Sequence, residues 1–281
     1  MAVKRILVVY SNEAGQSGAL QIAVDLARRT GAQLSGVVVR GPTELEDQMA
    51  RQSAITRRLS RGLLQVLKER DEETTGDIRT VFETRMTAEG LTARSDFIDL
   101  NWRRGIALAE LARSYDLVIM GRRAGDIGAE YFREGPDEVA LSSGRPLILA
   151  PLERVAMPER LHAVLAWDGK RAAARAVGDA IHVLELCGRI SVLSVGDAPP
   201  APAEDEGIVR LLQAHGIEAE RLHRHEVEGG ISGTILMTCH DLRADLLIMG
   251  AYQHSKLRAE FLGGPTRDIL EDADLPVFMS H

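Results

Sequence analysis

The sequence lacks paired cysteines. Only Cys187 and Cys239 occur in 281 residues, and no Cys-x-x-Cys spacing is present, so the thiols predict neither a metal site nor a redox centre. Cys187 falls inside a helical pattern, and Cys239 stands next to His240 on another. So few thiols suit a reducing compartment, and we expect the protein to be cytoplasmic.

Positive charge and long apolar runs are also scarce. Lys and Arg number 34 against 41 Asp and Glu, a net charge of −7, which argues against a general nucleic-acid or anionic-membrane surface. No apolar run approaches the ~20 residues that a membrane-spanning helix requires. The start of the chain lacks the apolar core of a signal peptide. We therefore expect no nucleic acid and no membrane among the partners.

Familiar catalytic motifs are missing as well. The sequence contains no Gly-x-Ser-x-Gly, no Gly-x-x-x-x-Gly-Lys-Ser/Thr and no carboxylate pair in a recognisable catalytic setting. His223 and His225 share one side of a strand pattern without a third ligand at suitable spacing, so solvent exposure is the simpler interpretation. We predict that the protein is not an enzyme.

The most prominent feature that is present is an internal repeat. The segment DLVIMG at residues 116–121 recurs as DLLIMG at 245–250, an offset of 245 − 116 = 129. Near the start of each copy the offset is about 158, which the alternation of apolar residues fixes only loosely. Each copy predicts the order β-α-β-α-β-α-β-α-β. The fold class is therefore α/β, with an open five-stranded parallel sheet flanked by helices in each copy.

The repeat predicts two domains, residues 1–152 and 158–281, joined by a proline-bearing linker. The early and late offsets differ by roughly 28 residues, so an insertion lies in the first copy. Helical spacing of apolar residues assigns it to about 43–71, with a second helical stretch after Gly76. The insertion either packs as a long helix on its own domain or protrudes as an arm for dimer contacts.

The second copy carries a glycine-bearing loop after its repeated strand. The strand ends at Gly250, and a polar loop leads through Gly263, Gly264, Pro265 and Thr266 into a short amphipathic segment. Glycine lets backbone N–H groups approach an anion, and a helix N-terminus aims unpaired N–H groups and its positive dipole end at the same point. This order predicts a phosphate-binding cradle in outline, although any strand–loop–helix junction of an α/β domain gives a similar pattern.

The loop resembles the nucleotide loop of the universal stress protein family, which reads Gly-x-x-Gly, nine residues, Gly-Ser/Thr, one residue and a further Ser/Thr. Gly250, Gly263 and Thr266 match it, whereas Gln253 stands at its second glycine and Gly264 at its first hydroxyl. Together with the repeat, the loop makes the chain similar to a tandem universal stress protein. The resemblance implies two Rossmann-like domains related to the adenine-nucleotide α-hydrolases.

The resemblance also implies an adenine nucleotide, ATP, ADP or AMP, bound in the C-terminal copy only. Asp168 would lie near the base or ribose, and ligands of open parallel sheets bind at the carboxyl ends of the strands near the switch in strand order. The implied binding residues are Asp168, Val195, Met249, Gly250, Gln253, Gly263, Gly264, Pro265 and Thr266.

The first copy carries the weaker loop. Ser11 or Asn12 stands where the second copy has Asp168, and acidic residues occupy the region where phosphates would lie. These residues are Asp126, Glu130, Glu134 and Asp137. Like charges oppose phosphate binding, so we expect no nucleotide here. Arg122 and Arg123 either form a small anion site or are solvated.

Three functions are compatible with these features. The first is a stress-response regulatory protein that binds an adenine nucleotide in its C-terminal domain. The alternative is a nucleotide-free scaffold of the same fold that acts through dimerisation and protein partners. A nucleotide hydrolase is the remote alternative, because the sequence has no His-x-Gly-His motif and no Ser-Gly-Gly phosphate loop. We expect a homodimer, or an intramolecular domain pair that replaces it.

Overall fold

The computed structural model describes residues 3–10, 17–39, 54–100, 107–122, 135–151, 157–199, 202–251 and 265–281. Its strands are β1 (Arg5–Val9), β2 (Gln33–Val38), β3 (Ser95–Asp99), β4 (Leu117–Gly121), β5 (Leu147–Ala150), β6 (Leu161–Ala166), β7 (Cys187–Val195), β8 (Glu220–Arg224), β9 (Leu246–Gly250) and β10 (Val277–Ser280). Its helices are α1 (Ser17–Thr30), α2 (Ala54–Ala88), α3 (Leu108–Ala112), α4 (Pro136–Ser143), α5 (Arg171–Leu184), α6 (Pro202–Ala214), α7 (Gly230–Leu242) and α8 (Pro265–Asp272).

The ten strands form one continuous sheet in the order β3-β2-β1-β4-β5-β10-β9-β6-β7-β8. Within each half the strands are parallel, which confirms the predicted α/β fold with two five-stranded units. The halves meet where β5 pairs antiparallel with β10, and Ile148 lies opposite Phe278. These two residues are equivalent in the repeat, since 278 − 148 = 130. The seam is therefore self-complementary, like the interface of a two-fold dimer.

The structure corrects the register of the repeat by one residue. Ile6 pairs with Leu117 in the first half, and Ala163 pairs with Leu246 in the second. The offset between the first strands is thus 163 − 6 = 157, not 158. Buried parallel strands are apolar on both faces, so alternation alone does not distinguish neighbouring registers. The residue equivalent to Asp168 becomes Ser11, which lies outside the described residues.

The aspartates that begin the repeated segment form hydrogen bonds to the backbone of the neighbouring strand. Asp116 Oδ2 accepts hydrogen bonds from the backbone N–H groups of Lys4 (2.8 Å) and Arg5 (2.9 Å), at the start of β1. Asp245 Oδ2 accepts one from His162 N, at the start of β6 (2.8 Å). The repetition of this aspartate therefore has a structural cause at the amino ends of the strands.

The connection between β2 and β3 contains α2, a single helix of 35 residues. Gly76 lies inside it, so the expected second helical stretch after Gly76 is a continuation of the same helix. The later part docks on the sheet, where Phe82 is buried against Gly36 and the Phe97 ring, with ring centroids 5.4 Å apart. Val66, earlier in the helix, is 60% exposed. The later part of the helix therefore packs on its own domain, and an arm for dimer contacts remains a prediction for the earlier part.

Two apolar layers cover the sheet. Helices α1, α2, α5 and α6 pack on one face, and α3, α4, α7 and α8 pack on the other.

Cys187 is the first residue of β7 rather than part of a helix, because α5 already ends at Leu184. None of the helices in the described ranges combines the length and apolarity that a membrane crossing requires.

Helix α1 contacts Met157 and Pro158, the first described residues after the linker. Arg29 Nη2 donates to the carbonyl oxygens of Met157 (3.0 Å) and Pro158 (2.6 Å). Asp25 Oδ2 accepts a hydrogen bond from Met157 N (3.3 Å). These contacts tie the start of the second half to a helix of the first.

Candidate functional site

The switch in strand order of the second half lies at the carboxyl ends of β6 and β9, and we call this part of the sheet edge the crevice. The two strands pair as far as Leu165 and Ile248. Beyond this point β6 follows β7, because Trp167 N donates to Leu193 O (2.8 Å). The chain runs outward from β6 to β8 and then crosses to β9, so the crevice coincides with the switch in strand order. Open parallel sheets bind ligands at such points.

Asp168 lies on the β6 side of the crevice. Its Oδ1 accepts a hydrogen bond from Lys170 N (3.0 Å), and its Oδ2 is 3.8 Å from Lys170 Nζ. Gly169 adopts a positive φ of 70°, which makes the tight turn into α5 possible. The Asp168 side chain remains 45% exposed. The carboxylate is thus oriented by the first turn of α5 and still accessible to a ligand.

Gly250 ends β9 on the opposite side, and packing alone requires a glycine there. A Cβ on Gly250 would lie 2.4 Å from the carbonyl carbon of Ala172 and 2.5 Å from Ala173 N. These are backbone atoms of α5, which cannot move away as a flexible side chain could. The glycine therefore lets α5 approach β9 and fixes the width of the crevice.

At the crevice, Met249 and Val195 could offer a ligand their backbone groups but not their side chains, which are buried or half-buried. The Met249 side chain is buried in the apolar layer under α7 and α8, and Val195 is half-buried in the same layer. On the side away from β6, Met249 is paired with Met279 of β10. On the side facing β6, the β6–β9 ladder ends at Ile248, so Met249 and Gly250 are not part of that pairing.

Helix α8 provides the remaining described residues. Pro265 is its first residue, which suits a proline because the missing N–H has no intrahelical partner. Thr266 follows and is half-buried. Asp268, also in the first turn, accepts a hydrogen bond from Ser232 Oγ of α7 (3.0 Å). Gln253, Gly263 and Gly264 lie outside the described residues.

Arg122 is not a solvated loop residue, and its Nη2 is shielded from solvent without a hydrogen-bond partner among the described residues. Although it follows β4 of the first half, its Nε donates to Leu270 O (2.9 Å) and its Nη1 to Ala273 O (2.5 Å) in the second half. Burial lowers the pKa of the guanidinium, and Asp272, among nearby carboxylates, acts in the opposite direction. Arg123, its neighbour in sequence, lies outside the described residues.

His223 differs from the expected solvent-exposed histidine. Its ring contacts the exposed His225 edge-on, with centroids 5.3 Å apart. Both His223 ring nitrogens and Trp167 Nε1 are shielded from solvent, and none of them has a hydrogen-bond partner among the residues that the structure describes. Ser194, the β7 residue paired with His223, lies between them on the face covered by α5 and α6. Trp167, Ser194 and His223 therefore lie at the same edge of the sheet as the crevice.

A His–Ser–Glu row, which the sequence did not indicate, crosses β6, β7 and β8 at the other edge. His162 Nε2 is 2.9 Å from Ser191 Oγ, which donates to Glu220 Oε1 (2.6 Å). The Ser191 hydrogen bond and Arg189 lower the Glu220 pKa, although partial burial opposes them. In a nucleophilic triad the histidine stands between serine and acid. Here the serine is central and fully buried, so the row is structural.

Neither thiol is placed for chemistry. Burial raises the pKa of Cys187 and of Cys239 to about 12, and a neutral thiol is a poor nucleophile and metal ligand. Among the residues that the structure describes, no group of three or more His, Cys, Asp or Glu side chains could hold a metal ion.

Comparison with known proteins gives a consistent result. The model of the family described as "Universal stress protein family" matches residues 2–143 and 159–281. A search of curated proteins found no match.

Two solved structures share the fold over nearly the whole chain, and a third is similar over less than half of it. A universal stress protein from Archaeoglobus fulgidus is 16% identical, with a TM-score of 0.71, over 98% of this chain and 95% of its own. A putative universal stress protein from Pseudomonas aeruginosa is 16% identical, with a TM-score of 0.60, over 99% of this chain and 93% of its own. A universal stress protein solved in complex with cAMP covers 44% of this chain and 99% of its own, at 17% identity and a TM-score of 0.35.

Proposed function

The chain belongs to the universal stress protein family, and from that premise we propose that it is a regulatory protein that binds an adenine nucleotide in its C-terminal half. ATP, ADP and AMP share the base, ribose and α-phosphate that this site would recognise. The proposal involves no catalysis. The nucleotide changes the stability and surface of the protein, and partners respond to that change.

The divergence of β6 and β9 beyond Leu165 and Ile248 carries the proposal. We place the ligand at this edge, with the partly exposed Asp168 carboxylate on the β6 side and the first turn of α8, which follows β9 in the chain, on the other. The carboxylate suits hydrogen-bond donors of a ribose or adenine, and the N–H groups of the helix suit phosphate. A ligand with both kinds of group at its two ends fits this arrangement.

We expect a nucleotide in the second half only, because the corresponding region of the first half is unsuited to phosphate. Arg122, the first residue after β4, is already engaged with backbone carbonyls of the second half. The acidic residues of that loop would oppose phosphates. In the second half, Gly264 lacks the hydroxyl of the family pattern, and one missing hydrogen bond of ~1 kcal/mol weakens binding by about fivefold. We therefore propose a single site of moderate affinity.

Calorimetric titration and thermal unfolding with ATP, ADP, AMP and adenosine test the proposal. Purified protein should also be heat-denatured and the released small molecules identified by mass spectrometry. We expect binding of all three nucleotides and a rise in melting temperature, because a ligand of the native state stabilises it. No release, no heat and no shift at millimolar nucleotide would contradict the proposal.

Two variants of Asp168 locate the site. Asp168→Ala removes the carboxylate and should lower affinity at least about tenfold. Asp168→Asn keeps an oxygen for the N–H of Lys170, so it should leave unfolding unchanged while affecting the ligand. Asp241→Asn is the matched control, since this carboxylate is exposed on α7 away from the crevice. Equal losses in Asp168→Ala and the control would exclude a role for Asp168.

The nucleotide-free scaffold is the second candidate function. The exposed part of α2 favours it, because a helix that extends beyond the core presents a surface for other proteins. Nucleotide titration separates the two functions, since the scaffold predicts no binding at any concentration. Steady phosphate release from ATP, absent in Asp168→Ala, would instead support a hydrolase.

A further inference from the structure

Helix α8 connects the two halves of the molecule. Because β5 and β10 are antiparallel, the carboxyl edge of the first half is the amino edge of the second. Helix α8 begins at the crevice of the second half and ends before β10, at the opposite edge. Its eight residues span about 12 Å. Its last turn thus lies beside the end of β4, where the first half has its own loop.

Arg122 forms hydrogen bonds to backbone carbonyl groups at the last turn of α8. Its backbone N–H donates to Ala150 O of β5 (3.0 Å), which anchors the residue in the sheet. Its guanidinium donates to Leu270 O (2.9 Å) and Ala273 O (2.5 Å). The last carbonyl groups of a helix have no intrahelical donor, and a cation there also interacts favourably with the helix dipole. The contact therefore fixes the position of α8 from its C-terminal end.

The second half has no equivalent side-chain contact to helix α4 of the first half. The residue equivalent to Arg122 is Ala251, since 251 − 122 = 129, and alanine has no donor to reach α4. Helix α4 ends instead at Gly144, in the left-handed conformation (φ 66°). The asymmetry matches the proposed loss of binding in the first half and its retention in the second.

We propose that Arg122 is a positioning residue for the phosphate-binding end of α8, so that the half without a nucleotide holds the binding helix of the other. The inference rests on the proposed function for its ligand, but not for the mechanical link. A short helix moves as one body, so releasing its C-terminal turn also releases the N–H groups at its start. Phosphate contacts should weaken, and contacts of the base and ribose should not.

The test compares Arg122→Met, Arg122→Lys and Arg145→Met. Arg145 is the matched control: its Nε (3.1 Å) and Nη2 (2.8 Å) donate to Arg113 O, just after α3. Arg145→Met therefore removes the same kind of contact from a helix that does not face the crevice. Calorimetry with ATP and with adenosine is combined with hydrogen exchange of the amides at residues 266–272.

In Arg122→Met we expect ATP affinity to fall about fivefold with adenosine affinity unchanged, and α8 amides to exchange about fivefold faster. Arg122→Lys should recover part of both effects, and Arg145→Met should show neither. Unchanged α8 exchange in Arg122→Met would overturn the inference whether or not the wild type binds nucleotide. Equal losses for ATP and adenosine would overturn it too. If the wild type binds neither ligand, the proposed function fails, and faster α8 exchange still supports the link.

Discussion

At the scale of single residues, packing and the proposed binding use the same positions at the carboxyl edge of the second half. Gly250 belongs to the family loop, yet the backbone of α5 already requires a glycine there. Asp168 orients the first turn of α5 and keeps an accessible carboxylate. A glycine of the loop motif can therefore be required by packing alone, and substitutions must separate packing from the proposed binding.

Gly250→Ala should lower the free energy of unfolding by about 1–3 kcal/mol, because the new methyl group overlaps rigid backbone atoms of Ala172 and Ala173. Urea unfolding followed by circular dichroism measures the change. Gly178→Ala in α5 is the control, since nothing lies within 4 Å of its added Cβ. That variant should gain up to about 1 kcal/mol from helix propensity. Equal stability of the two variants would contradict the packing role of Gly250.

Ser191→Ala should raise the pKa of Glu220 toward its ordinary value of 4.5, because the Ser191 hydrogen bond is the largest cause of its lowering. A lowered carboxyl pKa adds stability above the ordinary value, which is lost as pH falls through the folded value. Stability of the wild type should therefore fall more steeply below about pH 4.5 than that of the variant.

Carbon-13 NMR titration of Glu220 measures this pKa directly. Ser194→Ala is the control, since this buried serine of β7 has no hydrogen bond to Glu220 among the contacts described. A Glu220 pKa that is the same in Ser191→Ala and in the wild type would contradict the role of the Ser191 hydrogen bond.

At the scale of elements, α2 is the main departure from the common pattern of the two halves. From Ser35 to its partner Asp96 the first half uses 96 − 35 = 61 positions, whereas from Ser191 to Glu220 the second uses 220 − 191 = 29. The added chain forms a helix that docks by its later turns, where Phe82 meets the Tyr10 and Phe97 rings. Its docked part therefore combines this aromatic cluster with the buried Ile78 and Met86.

Phe82→Ala should destabilise this cluster by about 3–5 kcal/mol, because it empties a fully buried aromatic site. Hydrogen exchange should show lost protection in residues 75–88 and in β3, the strand beneath them. Val81→Ala is the control, since Val81 is 42% exposed one position away. If both variants leave α2 equally protected, the helix is held by other contacts.

At the scale of the whole molecule, the β5–β10 seam joins two parallel units into one sheet. The outer strands of the described sheet, β3 and β8, carry charged residues that oppose further edge pairing, among them Asp96, Glu220 and Arg224. Universal stress protein units are thus paired within the chain, and the inner edges are covered.

This arrangement predicts a monomer in solution, with a mass near 30.7 kDa. Light scattering coupled to size-exclusion chromatography measures it. A mass twice as large, over a tenfold range of concentration, would show that the exposed part of α2 or another surface pairs two chains.

Much of the fold was predictable from the sequence because the repeat is carried by buried strands and by Asp116 and Asp245, which have local structural roles. The offset between the first strands could be predicted only to within about one residue, because these strands are apolar on both faces. Contacts across the seam were not predictable, since the reach of Arg122 to α8 depends on β5 pairing with β10 and leaves no periodic signal. The shielded nitrogens of His223 and Trp167 likewise depend on neighbouring strands.

The central claim is that an adenine nucleotide binds between β6 and β9 in the second half. Hydrogen exchange with and without saturating ATP tests it most directly. We predict slower exchange at residues 166–170, at 249–251 and in the first turn of α8, with no change at the equivalent end of β4. No protection at these residues, or protection confined to the first half, would contradict the account.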